Sequence, residues 1–351
     1  MIVPARNEEA SLGDCLQSLV TQTCVAFEII VVDDGSTDRT REIAESFSHV
    51  RVISPGPLPA GWTGKNSAVV AGARAASGEW LLFTDADTVH VPGSLARALA
   101  EAKREKADLL SYSPEQVVVT FWERAVMPVV FAELASEYPP AKVRDQGSGI
   151  VAANGQYILV RRDAYASAGG HAAVASEILE DVALAKAFRR EGLRVYFRYG
   201  GDAVRTRMYR NWAQLRDGWT KNLSLLFPQP EKLAFHTLIL WLGAWLALGI
   251  ASDGAAGPRF VLIGFAFFWL LAYRRIRVAH FATRNNLIAI AFGMPMFAYL
   301  LLRSRKAHAN GRVSWKGRAY GADAPKGNMP PPITVAKSSP TIEDQILRTG
   351  N

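Results

Sequence analysis

Apolar, strand-like runs alternate with helical patterns along the N-terminal part of the chain, up to about residue 113. Runs such as 27–32 and 79–84 are apolar with few polar interruptions, which is typical of strands covered on both faces. Repeated strand–helix alternation predicts a doubly wound, mostly parallel α/β sheet with helices on both faces. In such a sheet, ligands bind at the carboxyl ends of the strands.

Acidic side chains follow two of these predicted strands directly. Asp33 and Asp34 follow the run 27–32, where their carboxylates could accept hydrogen bonds from a nucleobase or a ribose. Asp85 and Asp87 follow the run 79–84, and two carboxylates one residue apart can offer oxygens to one hard cation. An aspartate-rich turn that only bonds its own backbone or caps a helix remains the alternative for both pairs.

Lys65 and the pair Glu180–Asp181 each stand at the start of a predicted helix. A lysine at a helix N-terminus suits a diphosphate, because the helix dipole also favours anions there. The residues around Lys65 lack the P-loop spacing, which excludes that class of NTPase. A carboxylate at 180 or 181 is either a favourable first-turn charge or a general base. Taken singly, each position is explained more simply as a surface charge.

The basic residues of the chain are concentrated in one C-terminal region. Residues 254–322 contain eleven Lys or Arg and no Asp or Glu, whereas the rest has 29 basic and 32 acidic side chains. The same region is strongly apolar, which indicates a membrane anchor with cytoplasmic basic flanks rather than a nucleic-acid binder. The apolar runs 233–252, 260–273 and 287–302 predict two or three transmembrane or re-entrant segments.

Composition excludes several other classes of protein. The hydrophobic fraction of 49% excludes a disordered or fibrous chain. Two cysteines form neither a disulfide framework nor a metal cage. We predict a cytoplasmic catalytic domain at 1–227, a membrane domain at 228–306, and a basic interfacial segment with a disordered tail at 307–351.

The order of these motifs resembles glycosyltransferase family 2, the inverting nucleotide-sugar enzymes with a GT-A fold. The likeness covers about residues 1–222, and the matching segments are 2–9, 32–36, 64–65, 85–87 and 180–181. The appended apolar segments resemble the lipid-modifying members of that family, which act on carotenoid acids, hopanoid-associated lipids or ceramides. The usual Gln/Arg-x-x-Arg-Trp motif of the processive and ceramide enzymes is absent, and Gln214 and Arg216 near Trp219 only approximate it.

The resemblance implies a role for each matching residue. The implied ligands of the nucleoside and the sugar diphosphate are Pro4, Ala5, Glu8, Asp33, Asp34, Lys65 and Asp85. A divalent cation, Mg²⁺ or Mn²⁺, is implied on Asp87 together with Asp85, and Asp181 is implied as the catalytic base. The implied contacts of the acceptor or the diphosphate are Glu180, Arg207, Arg216 and Trp219.

These expectations together describe an enzyme that transfers a single sugar from a nucleotide diphosphate sugar, a UDP-hexose, to a membrane lipid. The acceptor would be a carotenoid acid, a hopanoid, or another isoprenoid or sphingolipid, in a multi-pass protein of the bacterial inner membrane. A processive polysaccharide synthase is the alternative enzyme, although three short apolar segments scarcely form a polymer channel. A non-catalytic membrane protein with a degenerate domain is disfavoured, because four aspartates are all present: Asp34, Asp85, Asp87 and Asp181.

Overall fold

The computed structural model describes residues 1–252, 258–315 and 318–320. Within these ranges, the side chains of residues 244, 247–252, 258–262, 313–315 and 318–320 are outside the description. The predicted disordered tail from residue 321 onward also lies outside the described residues.

Twelve strands are described. In chain order they are β1 (Ile2–Ala5), β2 (Ile29–Asp33), β3 (Val50–Ile53), β4 (Trp80–Phe83), β5 (Thr88–His90), β6 (Leu109–Ser113), β7 (Glu115–Gln116), β8 (Ile158–Arg161), β9 (Val195–Tyr199), β10 (Val204–Thr206), β11 (Val313–Trp315) and β12 (Arg318–Tyr320).

The described α-helices follow the same numbering. They are α1 (Leu12–Val20), α2 (Thr40–Glu45), α3 (Gly64–Ala75), α4 (Ser94–Arg104), α5 (Phe121–Glu137), α6 (Pro140–Arg144), α7 (Arg162–Ser167), α8 (Glu180–Arg190), α9 (Trp212–Leu226), α10 (Pro230–Ser252), α11 (Pro258–Ile276), α12 (Thr283–Ile288) and α13 (Met294–Ala309). Short 3₁₀ turns lie at Gly170–Val174 and Arg277–Ala279, and a π-helical turn at Ala289–Gly293 joins α12 to α13.

Seven strands form the central sheet, in the order β3-β2-β1-β4-β8-β6-β9. The prediction of a mostly parallel sheet is confirmed, since β8 alone among these strands runs antiparallel to its neighbours β4 and β6. Because β8 is reversed, the segment that enters it, residues 152–156, lies at the carboxyl ends of the parallel strands. This edge is where the predicted acidic residues stand.

Two apolar cores cover the two faces of the sheet, as the strand patterns predict. Ile30 and Val32 of β2 belong to one core, whereas Ile29 and Val31 belong to the other. All five residues of β2 are buried, which explains its continuous apolar pattern. Full burial of one such aliphatic side chain contributes about 1.5–3 kcal/mol to folding.

A second, three-stranded sheet in the order β5-β10-β7 lies beside the carboxyl edge. Its strand β10 pairs antiparallel with β5, which follows the Asp85–Asp87 turn. The Thr206 hydroxyl of β10 donates to the backbone carbonyl of Asp87 at 3.1 Å. The small sheet therefore fixes this turn and leads the chain from it to Arg207.

The C-terminal helices pack with α5 and α9 around a third apolar core. Helix α10 pairs with α11, and α13 packs against both α9 and α10. By length and hydropathy, one continuous helical segment of the described residues, Thr283–Ala309, is able to cross a membrane, although half of its most apolar stretch is buried inside the protein. This segment contains the predicted third apolar run.

The close packing of α5 against the π-helical turn requires a glycine at position 293. A Cβ added to Gly293 would overlap the carbonyl oxygen of Ala125. We expect Gly293→Ala to reduce the free energy of unfolding by about 1–3 kcal/mol, the usual cost of overpacking. Thermal unfolding of the detergent-solubilised protein measures this loss. Gly149→Ala is the matched control, because a Cβ there meets no atom within 4 Å; equal melting temperatures for the two variants would contradict the prediction.

Candidate functional site

A cavity of about 1340 Å³ opens at the carboxyl edge of the central sheet and extends to the C-terminal helices. Asp34, Asp87 and Asp181, which lie far apart in the sequence, all line this cavity. The complete set of sequence-predicted residues along its wall is Pro4, Ala5, Glu8, Asp34, Lys65, Asp85, Asp87, Glu180, Asp181, Arg207 and Trp219. Two predicted residues, Asp33 and Arg216, are not among those that line it.

Asp33 closes the turn after β2. Its carboxylate accepts the backbone N–H of Ser36 at 3.0 Å and lies 3.6 Å from a guanidinium nitrogen of Arg41. Successive side chains of a strand point to opposite faces, so Asp33 and Asp34 are directed apart. The Asp33 side chain therefore stabilises the turn after β2 by accepting the Ser36 N–H, whereas Asp34 lines the cavity.

Lys65 lies between two acids that come from separate elements. Its ammonium nitrogen is 2.7 Å from Asp85 Oδ1 and 2.7 Å from Glu180 Oε1. Thr63 caps α3, since its hydroxyl accepts the backbone N–H of Asn66, and this places Lys65 in the first turn. Burial alone would lower the pKa of Lys65, but the charges of Asp85 and Glu180 outweigh it and raise that pKa well above its ordinary value. Lys65 is therefore a permanent positive charge at the centre of the site.

Two backbone N–H groups orient the carboxylate of Asp181. Gly155 donates to Oδ2 at 2.8 Å, and Val182 donates to Oδ1 at 2.8 Å. Burial, and next the charge of Glu180, raise the pKa of Asp181 to about 6, although Lys65 and the two N–H groups oppose the rise. A carboxylate with such a pKa is ionised near neutrality and is basic enough to accept a proton from a bound hydroxyl.

Gly155 is a site residue that the sequence analysis missed. A Cβ on this residue would lie 3.0 Å from Lys65 Nζ and 3.2 Å from Glu180 Oε1. Both distances are shorter than ordinary van der Waals contact, so glycine lets the backbone approach the charged cluster, and its N–H reach Asp181, without displacing Lys65 or Glu180. No periodicity or charge pattern in the sequence signals this approach.

Lys221 lies on the α9 side of the cavity and is not among the residues to which the family resemblance gives a role. Helix α9 lines the cavity at helical spacing with Gln214, Asp217, Gly218 and Lys221. Burial lowers the pKa of Lys221, and the charge of Glu180 partly opposes this effect. Lys221 therefore interacts with one of the carboxylates that also bind Lys65.

Arg216 is not among the α9 residues that line the cavity. Its guanidinium Nε lies 2.8 Å from Oδ1 of Asp217. Arg207 lines the cavity, but its guanidinium is held by the buried carboxylate of Glu123 at 3.0 Å. Trp219 is 2% exposed, and its indole N–H has no hydrogen-bond partner among the described residues.

Threonine hydroxyls bond two backbone carbonyls of the Asp85–Asp87 turn. The Thr88 hydroxyl donates to the Asp85 carbonyl at 2.8 Å, in addition to the bond from Thr206 to the Asp87 carbonyl. Within the described residues, no three His, Cys, Asp or Glu side chains cluster so as to hold a metal ion. A hard cation would therefore fit here only if a bound ligand completed its oxygen shell, with Asp87 as the protein ligand.

The opposite wall of the cavity is apolar. It is formed by α5 and the segment 278–282, whose lining side chains are mainly apolar and include Phe131. The Phe131 ring is 6.2 Å from that of Trp219 and 6.3 Å from that of Phe281. The cavity thus joins a charged end to an apolar end, which suits a pair of ligands of those two characters.

Comparison with known proteins places this site in context. Residues 1–167 match the family model for glycosyl transferase family 2. Over 337 residues the chain is 28% identical to the 4,4'-diaponeurosporenoate glycosyltransferase of Staphylococcus aureus (strain USA300), covering 91% of this chain and 87% of that protein.

Two solved structures show a partial likeness. A mannosyltransferase from Pyrobaculum calidifontis, in complex with GDP-Man and Mn²⁺, is 17% identical, with a TM-score of 0.49 and coverage of 87% of this chain and 85% of that chain. A glucosyl-3-phosphoglycerate synthase from Mycobacterium tuberculosis, in complex with Mn²⁺, UDP and glucosyl-3-phosphoglycerate, is 23% identical, with a TM-score of 0.44 and coverage of 64% and 77%. Because both TM-scores are below 0.5, these structures assign no ligand to this chain.

Proposed function

We propose that this chain, whose residues 1–167 match the family model for glycosyl transferase family 2, is a glycosyltransferase that transfers a single sugar from a nucleotide diphosphate sugar, a UDP-hexose, to a membrane lipid. The observation that carries this proposal is the cluster of Lys65, Asp85, Glu180 and Asp181 in a cavity whose far wall is apolar. The charged end suits a sugar diphosphate, and the apolar end suits the body of a lipid.

The donor would occupy the carboxyl edge of the sheet. Pro4, Ala5, Glu8 and Asp34 would contact the nucleoside, since they lie at the ends of the adjacent strands β1 and β2. Lys65 would stabilise the negative charge that develops on the departing diphosphate. A divalent cation, Mg²⁺ or Mn²⁺, held by Asp87 and the donor phosphates, would supply further charge neutralisation.

Asp181 would act as the general base. An oxygen of the acceptor forms a bond to the anomeric carbon while the bond from that carbon to the diphosphate breaks, and a hydroxyl proton passes to the Asp181 carboxylate. This single displacement inverts the anomeric configuration and needs no covalent enzyme intermediate. An acceptor carboxyl group is already ionised near neutrality, so it would depend less on Asp181.

The membrane anchor would be the pair α10 and α11. Four outward side chains of α10 are between 52% and 64% exposed, at helical spacing: Phe235, Ile239, Leu242 and Leu246. On α11, Ile263, Phe267 and Leu270 are similarly exposed, and Arg274 lies in its last turn. An apolar outer surface with a basic end is typical of helices inserted from the cytoplasmic side of a bilayer.

The acceptor proposal rests on the apolar wall and on the similar S. aureus protein, whose name gives diaponeurosporenoate as the molecule glycosylated. A carotenoid acid, a hopanoid, or another isoprenoid or sphingolipid in the bacterial inner membrane would meet both conditions. The bilayer would bring the acceptor to the cavity, while the donor arrives from the cytoplasm.

Membranes that contain the protein, incubated with radiolabelled nucleotide sugars, test this proposal. We expect label from one UDP-hexose to partition into organic solvent, and membranes with the Asp87→Ala variant to transfer it at least about a hundredfold more slowly. Label that enters a water-insoluble polymer would show a processive synthase instead. Absence of transfer from every donor, by protein that binds UDP, would contradict the proposal.

The pH dependence of transfer follows from the raised pKa of Asp181. Because the base must be ionised, we expect kcat/KM for a hydroxyl acceptor to fall about tenfold per unit as the pH drops below about 6. Glu180→Gln removes a charge that raises this pKa, so it should move the acid limb to lower pH. A pH–rate profile that stays flat through 6, or an acid limb that Glu180→Gln moves upward, would refute this assignment.

A further inference from the structure

A patch of exposed apolar side chains surrounds the start of α5. It consists of Val117, Val119, Phe121, Trp122 and Phe292, each between 39% and 53% exposed. We call this set the aromatic rim. Contiguous apolar patches of this kind on a protein surface mark contact with a membrane or another protein.

The rim is held in place by well-defined contacts. Thr120 and Glu123 form a capping box at the start of α5, which fixes Phe121 and Trp122 on the first helical turn. The Phe121 ring lies 5.6 Å from that of Phe292 and 5.3 Å from that of Trp122. The exposure of these side chains is therefore a property of a capped helix and its packed neighbours.

The rim is continuous with the proposed membrane anchor. The Trp241 indole of α10 donates to the carbonyl of Ala291 at 3.0 Å. The residue that follows Ala291 is Phe292 of the rim. At the other side, Val117 also lines the cavity, together with its neighbour Val118. The rim thus lies between helix α10, which contacts Ala291, and the residues Val117 and Val118 on the cavity wall.

Charge indicates which partner covers the rim. The region 254–322, which includes Phe292, has eleven basic and no acidic residues. Aromatic side chains beside a basic region are typical of proteins at the interface of an anionic bilayer. A second copy of this chain carries the same basic segment and a formal net charge of +8, so repulsion between copies disfavours it.

We propose that the aromatic rim lies in the interfacial layer of an anionic bilayer, so that the cavity wall meets the lipid surface directly. This inference rests on the proposed membrane function and extends the membrane contact from the α10–α11 anchor to the start of α5. It specifies how a lipid acceptor enters: from the bilayer at the start of α5, without leaving for water.

Fluorescence quenching of the full-length protein in nanodiscs of phosphatidylcholine and phosphatidylglycerol tests the proposal. The background is Cys24→Ser, because Cys24 is exposed and Cys15 is buried. A fluorophore is attached after Phe121→Cys or, as a second rim position, Val119→Cys. The matched control is Phe27→Cys, a phenylalanine with 37% exposure that precedes β2 and so lies at the opposite edge of the sheet.

At the rim positions we expect quenching by doxyl-labelled lipid, and quenching by aqueous iodide at least about threefold weaker than at position 27. Iodide quenching equal to that of the control would overturn the proposal. Protection from both quenchers would also overturn it, since that result indicates a protein partner such as a second copy.

A further label separates this inference from the proposed function. Leu246→Cys reports on the outer surface of α10. If doxyl-labelled lipid quenches the label at position 246 but iodide reaches the label at position 121, the proposed rim contact is wrong. The proposed anchor of α10 and α11 would be unaffected by that result. Water access at both positions would refute the membrane proposal as a whole. Sugar transfer is measured separately on the unlabelled protein, so its failure is distinct from either result.

Discussion

Asp181→Asn is expected to abolish sugar transfer to a hydroxyl acceptor, with kcat lower by about 10²–10⁴-fold. The asparagine amide has nearly the same shape as the carboxylate. It keeps one oxygen, which can accept one of the two backbone N–H groups that orient the native carboxylate. It cannot accept the proton of the attacking hydroxyl. The measurement is kcat and donor KM with the lipid acceptor that the radiolabel assay identifies, and we expect the donor KM to change little.

Asp14→Asn is the matched control for this substitution, because Asp14 is an exposed aspartate in the first turn of α1. It should leave kcat unchanged. If Asp181→Asn kept full activity toward a hydroxyl acceptor, Asp181 would not be the base. With a carboxyl acceptor the loss should be much smaller, since that nucleophile is already ionised.

Asp87→Ala is expected to lower transfer by about 10²–10³-fold, the usual cost of losing one electrostatic contact to a leaving group. The substitution would remove the one carboxylate proposed to hold the cation. Because Thr206 bonds the backbone carbonyl of residue 87, the turn should keep its shape without the side chain. The measurement is the transfer rate as a function of added Mn²⁺ or Mg²⁺.

For Asp87→Ala we expect added Mn²⁺ or Mg²⁺ no longer to raise the transfer rate. The melting temperature of the variant should be unchanged. The control is Asp202→Ala, which removes an aspartate that pairs on the surface with Arg198. An Asp87→Ala protein with normal rate and normal sensitivity to a chelator would show that Asp87 holds no catalytic cation.

The sequence predicts the architecture well where local pattern determines it. Strand β2 is buried at every residue, although Phe27 at the start of the predicted run 27–32 is exposed, and the strand–helix alternation predicts the parallel part of the sheet. The reversal of β8 could not be predicted, because strand direction depends on pairing with β4 and β6, which lie far away in the sequence. That reversal is what brings residues 152–156 to the site.

The candidate site was predictable in residue type but not in its close contacts. Asp87, Lys65 and Asp181 all reach one cavity, and the bridge from Lys65 to Glu180 depends on the tertiary fold. The separation of Asp33 from Asp34 follows from strand alternation and could have been foreseen. Gly155 could not, because its importance lies in the space that its missing Cβ leaves for Lys65 and Glu180.

Lys221 and Arg216 show that the sequence does not predict which side chains of helix α9 line the cavity. The motif comparison draws attention to Arg216, but the register of α9 places Lys221 on the cavity side. The sequence alone does not show which face of α9 meets the sheet, because that face is chosen by packing against α5 and α13.

Titration of UDP into the purified full-length protein, in the presence of Mn²⁺, tests whether one cavity holds the donor at Asp34 and the base at Asp181. We expect UDP to bind the native protein and the Asp181→Asn variant equally well. Asp34→Ala should weaken binding about tenfold or more, because it removes hydrogen bonds from a charged group. Equal affinity in all three proteins, or no binding to any of them, would show that Asp34 does not bind the donor in this cavity.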